Sequence, residues 1–91
     1  MSKSKHTPGP WGCVQRSHGT MLVRSEASGV NGYIAEIYLS RPSEWEANAH
    51  LIAAAPELLD ALMELADWYR EHTGLPPTAA NAAIAKAEGK A

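Results

Sequence analysis

A helical stretch interrupted by one proline constrains the fold of this 91-residue chain more than any other feature. Pro56 lacks a backbone N–H and disfavours a helical Ala55, so a helix that begins before it should stop or kink there. Proline also suits the first position of a new helix. Beyond Pro56, one helical face carries the apolar residues Leu58, Leu59, Leu62, Leu65, Ala66 and Tyr69. The opposite face carries the carboxylates of Glu57, Asp60, Glu64, Asp67 and Glu71.

This leucine face leads us to expect a helix pair whose apolar side is covered by the rest of the chain. The first helix is predicted over 44–55, with Ser43 as its N-cap and Glu46 completing a capping box. The second helix is predicted over 56–72, with Gly74 as the left-handed residue that ends it.

The two ends of the chain are less strongly specified. Residues 1–10 contain two prolines around Gly9 and predict an extended arm, which Trp11 anchors on the core. At the other end, Thr78 is expected to cap a helix over 79–88. Because Ile84 is the only large apolar residue of that helix, we expect it to be weakly packed.

Between the arm and the helices, the sequence predicts an antiparallel meander of three strands. The turn before the second strand contains Gly19, which can adopt a positive φ. The predicted strands are 11–16, 21–26 and 33–39. The fold class is therefore α+β: a three-stranded antiparallel sheet, one face covered by the helix pair, and a weak C-terminal helix, all in a single domain.

The third strand has two faces of different character. One face is wholly apolar and should meet the helices, namely Tyr33, Ala35, Ile37 and Leu39. The other face is mixed and should be half exposed or contact another subunit, namely Ile34, Glu36, Tyr38 and Ser40.

Composition excludes several classes of function. The net charge of −2 gives no general attraction to nucleic-acid phosphates, and the acidic helix would repel nucleic acid and anionic membranes. No apolar run approaches the roughly 20 residues that cross a bilayer, and no secretory signal is recognisable. The single cysteine, Cys13, excludes an internal disulfide. We therefore expect a soluble protein of the cytoplasm that binds neither nucleic acid nor membrane.

No motif in the chain predicts catalysis, and we expect a protein that is not an enzyme. There is no nucleophile elbow and no phosphate-binding glycine loop. Cys13 lies mid-strand and is interpreted as a small buried side chain. Glu46 and His50, four residues apart on one helix, are interpreted as an intrahelical pair, because a zinc site needs more ligands. We expect no metal and no cofactor.

A small anionic ligand, such as a nucleotide, is the binding chemistry that the polar residues favour. Arginine forks, an asparagine and aromatic faces are what a nucleotide pocket needs. The candidate ligand-binding residues are Arg16, Arg24, Tyr38, Arg41, Trp45, Asn48 and His50. The alternative for Asn48 is that its amide braces the loop over 40–42.

Three segments together resemble a family of small phage and prophage proteins. They are His6-Thr-Pro-Gly-Pro-Trp11, the strand Gly32-Tyr-Ile-Ala35 and the helical run from Glu46 to Leu59, and the tail from Ala83 to Gly89 is similar as well. From this resemblance, arginine is expected more often than histidine at the position of His50. The resemblance implies an accessory protein made in an infected bacterium, and it implies no mechanism.

Size and architecture add an analogy to phage anti-defence proteins, some of which are oligomeric sponges that sequester nucleotide second messengers. The expected function is therefore a non-enzymatic anti-defence protein in the host cytoplasm that holds a nucleotide-like ligand at a subunit interface. A homo-oligomer is expected through the sheet or through Trp68, because one layer of strands cannot bury both of its sides. The alternative is an inhibitor that uses its acidic helix to bind a host defence protein.

Overall fold

The computed structural model describes residues 6–17, 19–27, 32–38 and 42–90, with only the backbone for residues 16, 17, 42 and 43. Three strands are followed by three helices, which confirms the predicted α+β fold. The strands are β1 (Trp11–Ser17), β2 (Thr20–Ser25) and β3 (Tyr33–Tyr38), and the helices are α1 (Pro42–Ala53), α2 (Ala55–Thr73) and α3 (Thr78–Ala87). The chain divides into two compact units, Met1–Pro56 and Glu57–Ala91.

The first unit is built on an antiparallel sheet in the order β1-β2-β3. Ser17 pairs with Thr20 across the first turn, and Gly19 has a φ of 90°, as the sequence predicts. Helix α1 contacts all three strands and covers one side of the sheet. Val23 of β2 and Ala49 of α1 are both fully buried there, so the centre of this unit lies between β2 and α1.

A bulge in β3 changes which residues face α1. Val23 pairs with Ala35, but the next residue, Arg24, pairs with Tyr33, so Ile34 has no partner in the ladder. Cross-strand partners share a side of the sheet, and the bulge therefore puts Tyr33 on the side of Arg24. The prediction that Tyr33 packs under the helices is wrong, and its side chain is 70% exposed.

The N-terminal arm is tied to the end of β2 through its own carbonyl groups. Ser25, which is buried, donates its hydroxyl to the Pro8 carbonyl at 2.7 Å, and the Glu26 N–H donates to the Pro10 carbonyl at 2.8 Å. The Trp11 indole N–H donates to the Thr7 carbonyl at 3.1 Å. These contacts agree with the predicted anchoring of the arm by Trp11.

Two helix starts differ from the predicted ones. Helix α1 begins at Pro42, whose fixed φ suits a first helical position, so Ser43 lies in the first turn and not at the N-cap. Helix α3 begins at Thr78, and its N-cap residue, Pro77, has no side chain that can cap. The Thr78 hydroxyl instead donates to the Pro76 carbonyl at 3.4 Å.

The second unit contains most of α2, then α3. Gly74 ends α2 with a φ of 72°, and its N–H donates to the Arg70 carbonyl at 2.9 Å, as the predicted left-handed stop requires. Helix α3 has no buried residue.

The leucine face of α2 is covered only in part. Ala66 is buried and Leu59 and Leu62 are half-buried, but Leu58 is 52% and Leu65 is 60% exposed. The expectation that the whole face is buried is therefore wrong. Helical spacing predicts which residues share a face, but the covering of that face depends on tertiary contacts. In the described segments, no helix is both long and apolar enough to cross a membrane.

Candidate functional site

The side of the sheet that faces away from α1 is an open surface. We call it the open sheet face, and it is formed by Val14, Leu22, Arg24, Tyr33, Glu36 and Tyr38. Leu22, on the central strand, is buried, whereas Tyr33 and Tyr38 are each 70% and Val14 is 48% exposed. Aromatic side chains and arginine exposed together are typical of binding surfaces.

Arg24 is the cation of the open sheet face among the side chains that the structure describes. It pairs across the ladder with Tyr33 on one side and with Gly12 on the other. Within the described segments, its guanidinium forms no ion pair or hydrogen bond. The side chain is exposed, so it can bind a group from outside this subunit.

Two carboxylates share this surface with Arg24. The Glu26 carboxylate lies against Gly12, where a Cβ on that glycine would collide with it. The Glu36 carboxylate accepts a hydrogen bond from the Tyr38 hydroxyl at 3.2 Å. Among the described side chains, one arginine beside two carboxylates makes the surface mixed in charge, so these groups of a single copy offer an anion little net attraction.

The predicted ligand-binding residues do not all meet in one place. Arg24 and Tyr38 lie on the open sheet face. Trp45, Asn48 and His50 lie on α1, on the opposite side of the sheet. Asn48 is exposed. The Trp45 indole nitrogen is buried and has no hydrogen-bond partner in the described part of the chain.

The remaining two predicted ligand-binding residues are Arg16 and Arg41. The structure describes only the backbone of Arg16. The backbone of Arg16 lies at the irregular end of β1, between Gln15, which pairs with Met21, and Ser17. Arg24 pairs with Gly12, four residues further back along β1, so the two arginines lie at different ends of the hairpin. Arg41 and residue 40 of the loop that Asn48 is predicted to brace lie outside the described residues, and Pro42 of that loop begins α1.

A contact that the sequence did not predict joins β1 to α1. The Cys13 sulfur lies 3.5 Å from His50 Nδ1, although 37 positions separate these residues. His50 Nε2 lies 3.9 Å from a Glu46 oxygen, as expected for the intrahelical pair. No local spacing signals such a contact, because it depends on how α1 lies on the sheet. Among the described histidines, cysteine and carboxylates, no group of three could hold a metal ion.

Helix α2 carries a second exposed surface. Trp68 is 53% exposed, as the sequence predicts for a residue at the border of the acidic face. The His72 ring stacks on Trp68 with 4.3 Å between centroids, and His72 Nδ1 donates to the Trp68 carbonyl at 2.8 Å. The tryptophan is therefore both exposed and held in position.

Comparison with known proteins identifies the family. A family model described as Salmonella phage P22 protein Y8K6 matches residues 1–91. No curated protein and no solved structure matches the chain. The family match confirms the predicted relation to small phage proteins. Because it extends over the whole chain, the protein belongs to the family of Salmonella phage P22 protein Y8K6.

Proposed function

We propose that this phage protein is a non-enzymatic binding protein that counters a defence of the infected cell by sequestering a small nucleotide-like anion. The observation that carries the proposal is the exposed Arg24 guanidinium beside the exposed ring of Tyr33. Guanidinium groups bind phosphate in a forked geometry, and tyrosine rings stack on bases. Tyr38 supplies a second exposed ring on the same face.

The proposed site is shared between two copies of the chain. Two open sheet faces in contact place two guanidinium groups on one ligand. The carboxylates double as well, so the second copy contributes further forked hydrogen bonds to phosphate and not a more favourable net charge. The contact also covers Val14, Tyr33 and Tyr38, whose apolar surface is otherwise in water.

A thermal-shift assay with cyclic dinucleotides and ADP-ribose-type nucleotides tests this function. A ligand at about 100 times its Kd should raise the melting temperature by about 10 °C or more. The shift should disappear in Arg24→Ala and persist in Arg70→Ala, a matched arginine on α2 that pairs with Asp67 at 3.0 Å.

Two outcomes would contradict the proposal. Absence of a melting-temperature shift with every nucleotide tested would contradict the proposal that the ligand is a nucleotide-like anion. A shift that survives Arg24→Ala but disappears in Asn48→Ala would move the site from the open sheet face to α1.

A second candidate function is inhibition of a host defence protein by the acidic side of α2. The observation that favours it is the exposure of all five carboxylates of that helix. Native mass spectrometry of the protein purified from infected cells separates the two candidates, because it detects a bound small molecule and a bound basic protein by different masses. Recovery of the unbound chain alone would count against both.

A further inference from the structure

Helix α2 has a continuous exposed seam with the spacing of a coiled coil. Its members are three and four residues apart in alternation, namely Leu58, Ala61, Leu65, Trp68 and His72. In heptad notation they occupy the a and d positions, which face a partner helix in coiled coils. All five are exposed, with Leu58, Leu65 and Trp68 each more than half exposed.

The middle of this seam contains a shallow, open depression. Four residues line it: Ala61, Glu64, Leu65 and Trp68. They occupy successive d, g, a and d positions. Four residues in such an arrangement form the hole that accepts one side chain of a facing helix. The small side chain of Ala61 leaves the hole open, and Trp68, held by His72, forms one wall.

The charges beside the seam indicate what kind of helix fits it. The g positions, which border the seam, are occupied by Glu57, Glu64 and Glu71, and all three are exposed. Residues at e and g choose coiled-coil partners through opposite charge. No lysine or arginine of α2 lies at an e or g position, so the α2 helix of a second copy, paired along the same seam, cannot neutralise these glutamates.

We propose that this seam docks a basic amphipathic helix of another protein, with apolar residues at its a and d positions and lysine or arginine at e and g. One apolar side chain of that helix fills the hole at Ala61, and its basic residues pair with Glu57, Glu64 and Glu71. This inference rests on the second candidate function above and names the partner's chemistry.

A designed peptide of about three heptads tests the proposal, with leucine at a and d and lysine at e and g. The matched control peptide has the same leucines and glutamate in place of every lysine. Binding to the full chain is measured by calorimetry. The lysine peptide should bind at least about tenfold more tightly than the glutamate peptide, and this preference should weaken as salt is raised.

Three variants separate the seam from general acidity. The combined change Glu57→Lys, Glu64→Lys and Glu71→Lys should reverse the preference between the two peptides. Asp60→Lys with Asp67→Lys, at c positions away from the seam, should keep the preference for the lysine peptide. Ala61→Gln, which fills the hole at an exposed position, should weaken binding of the lysine peptide.

The proposal is overturned if neither peptide binds, if both bind equally, or if the Glu57, Glu64 and Glu71 variant keeps the original preference. The proposal is also overturned if the Asp60 and Asp67 variant loses as much of the preference for the lysine peptide as the Glu57, Glu64 and Glu71 variant does. The total acidity of the helix would then explain binding without the seam. If a basic host protein co-purifies with both the natural chain and Ala61→Gln, the second candidate function stands and the seam inference fails.

Discussion

Two valines on neighbouring strands differ completely in their surroundings. Val23, on the covered side of β2, is fully buried, whereas Val14, on the open side of β1, is 48% exposed. Both are apolar residues in predicted strands, and the sequence alone gives no reason to rank them. Their difference arises because alternation puts Val23 toward α1 and Val14 away from it.

Truncation of these two valines should therefore have unequal effects. Val23→Ala removes fully buried methyl groups and should lower the free energy of unfolding by about 2 kcal/mol. Val14→Ala should lower it by about 0.5 kcal/mol or less. Urea denaturation of both variants measures the difference, and equal losses would show that Val23 is not at the centre of the first unit.

Gly19 shows what residue chemistry can predict. Its φ of 90° lies in the left-handed region, and no atom of the described residues beyond its chain neighbours lies within 4 Å of where its Cβ would be. Gly19→Ala should therefore cost about 1 kcal/mol or more through backbone strain alone. In Gly12→Ala the atoms nearest to the added methyl belong to the Glu26 side chain, which is exposed and can rotate away, so the cost should be smaller. Denaturation midpoints compare the two, and a larger loss for Gly12→Ala would contradict this account.

At the scale of elements, the strands, the break near Pro56 and the stop at Gly74 were all predictable, because each depends on local chemistry. The open side of the sheet was only partly predictable. Simple alternation predicts Tyr33 on the wrong side of the sheet, because Ile34 is an ordinary strand residue and nothing in its chemistry predicts a bulge. The exposure of Leu58 and Leu65 was also unpredictable, since periodicity does not show what covers a face.

The N-terminal arm gives a prediction about an element held by few contacts. Ser25→Ala removes the hydrogen bond to the Pro8 carbonyl and the one that the Ser25 oxygen accepts from the Ala27 N–H at 3.2 Å. Loss of these bonds at a buried position should cost about 1–2 kcal/mol. Hydrogen exchange at the Glu26 amide, which donates to Pro10, should accelerate. Unchanged exchange there would show that the arm stays in place without Ser25.

At the scale of the whole molecule, both surfaces that were expected to form subunit contacts are exposed. The open sheet face and the seam around Trp68 lie in different units of the chain, so substitutions can test them separately. We propose that the open sheet face joins copies of this chain, whereas the seam binds a different protein.

Sedimentation velocity distinguishes these roles. Tyr33→Asp puts a charge into the proposed subunit contact and should convert oligomers into monomers at micromolar concentration. Trp68→Asp, a matched change of an exposed aromatic residue, should leave the oligomer intact. The reverse pattern would assign self-association to α2. If the natural chain is a monomer, the proposed ligand site between two open sheet faces is wrong.

The unpaired Ile34 also determines how this protein can tolerate changes in length. Deletion of Ile34 would join Tyr33 directly to Ala35 in an unbroken alternation and would leave the tyrosine pointing outward beside Arg24. Deletion of a paired residue such as Ile37 would instead exchange inside and outside for the residues on one side of the gap. Deletion of Ile34 should therefore preserve which side chains of β3 face outward, whereas deletion of Ile37 should change them.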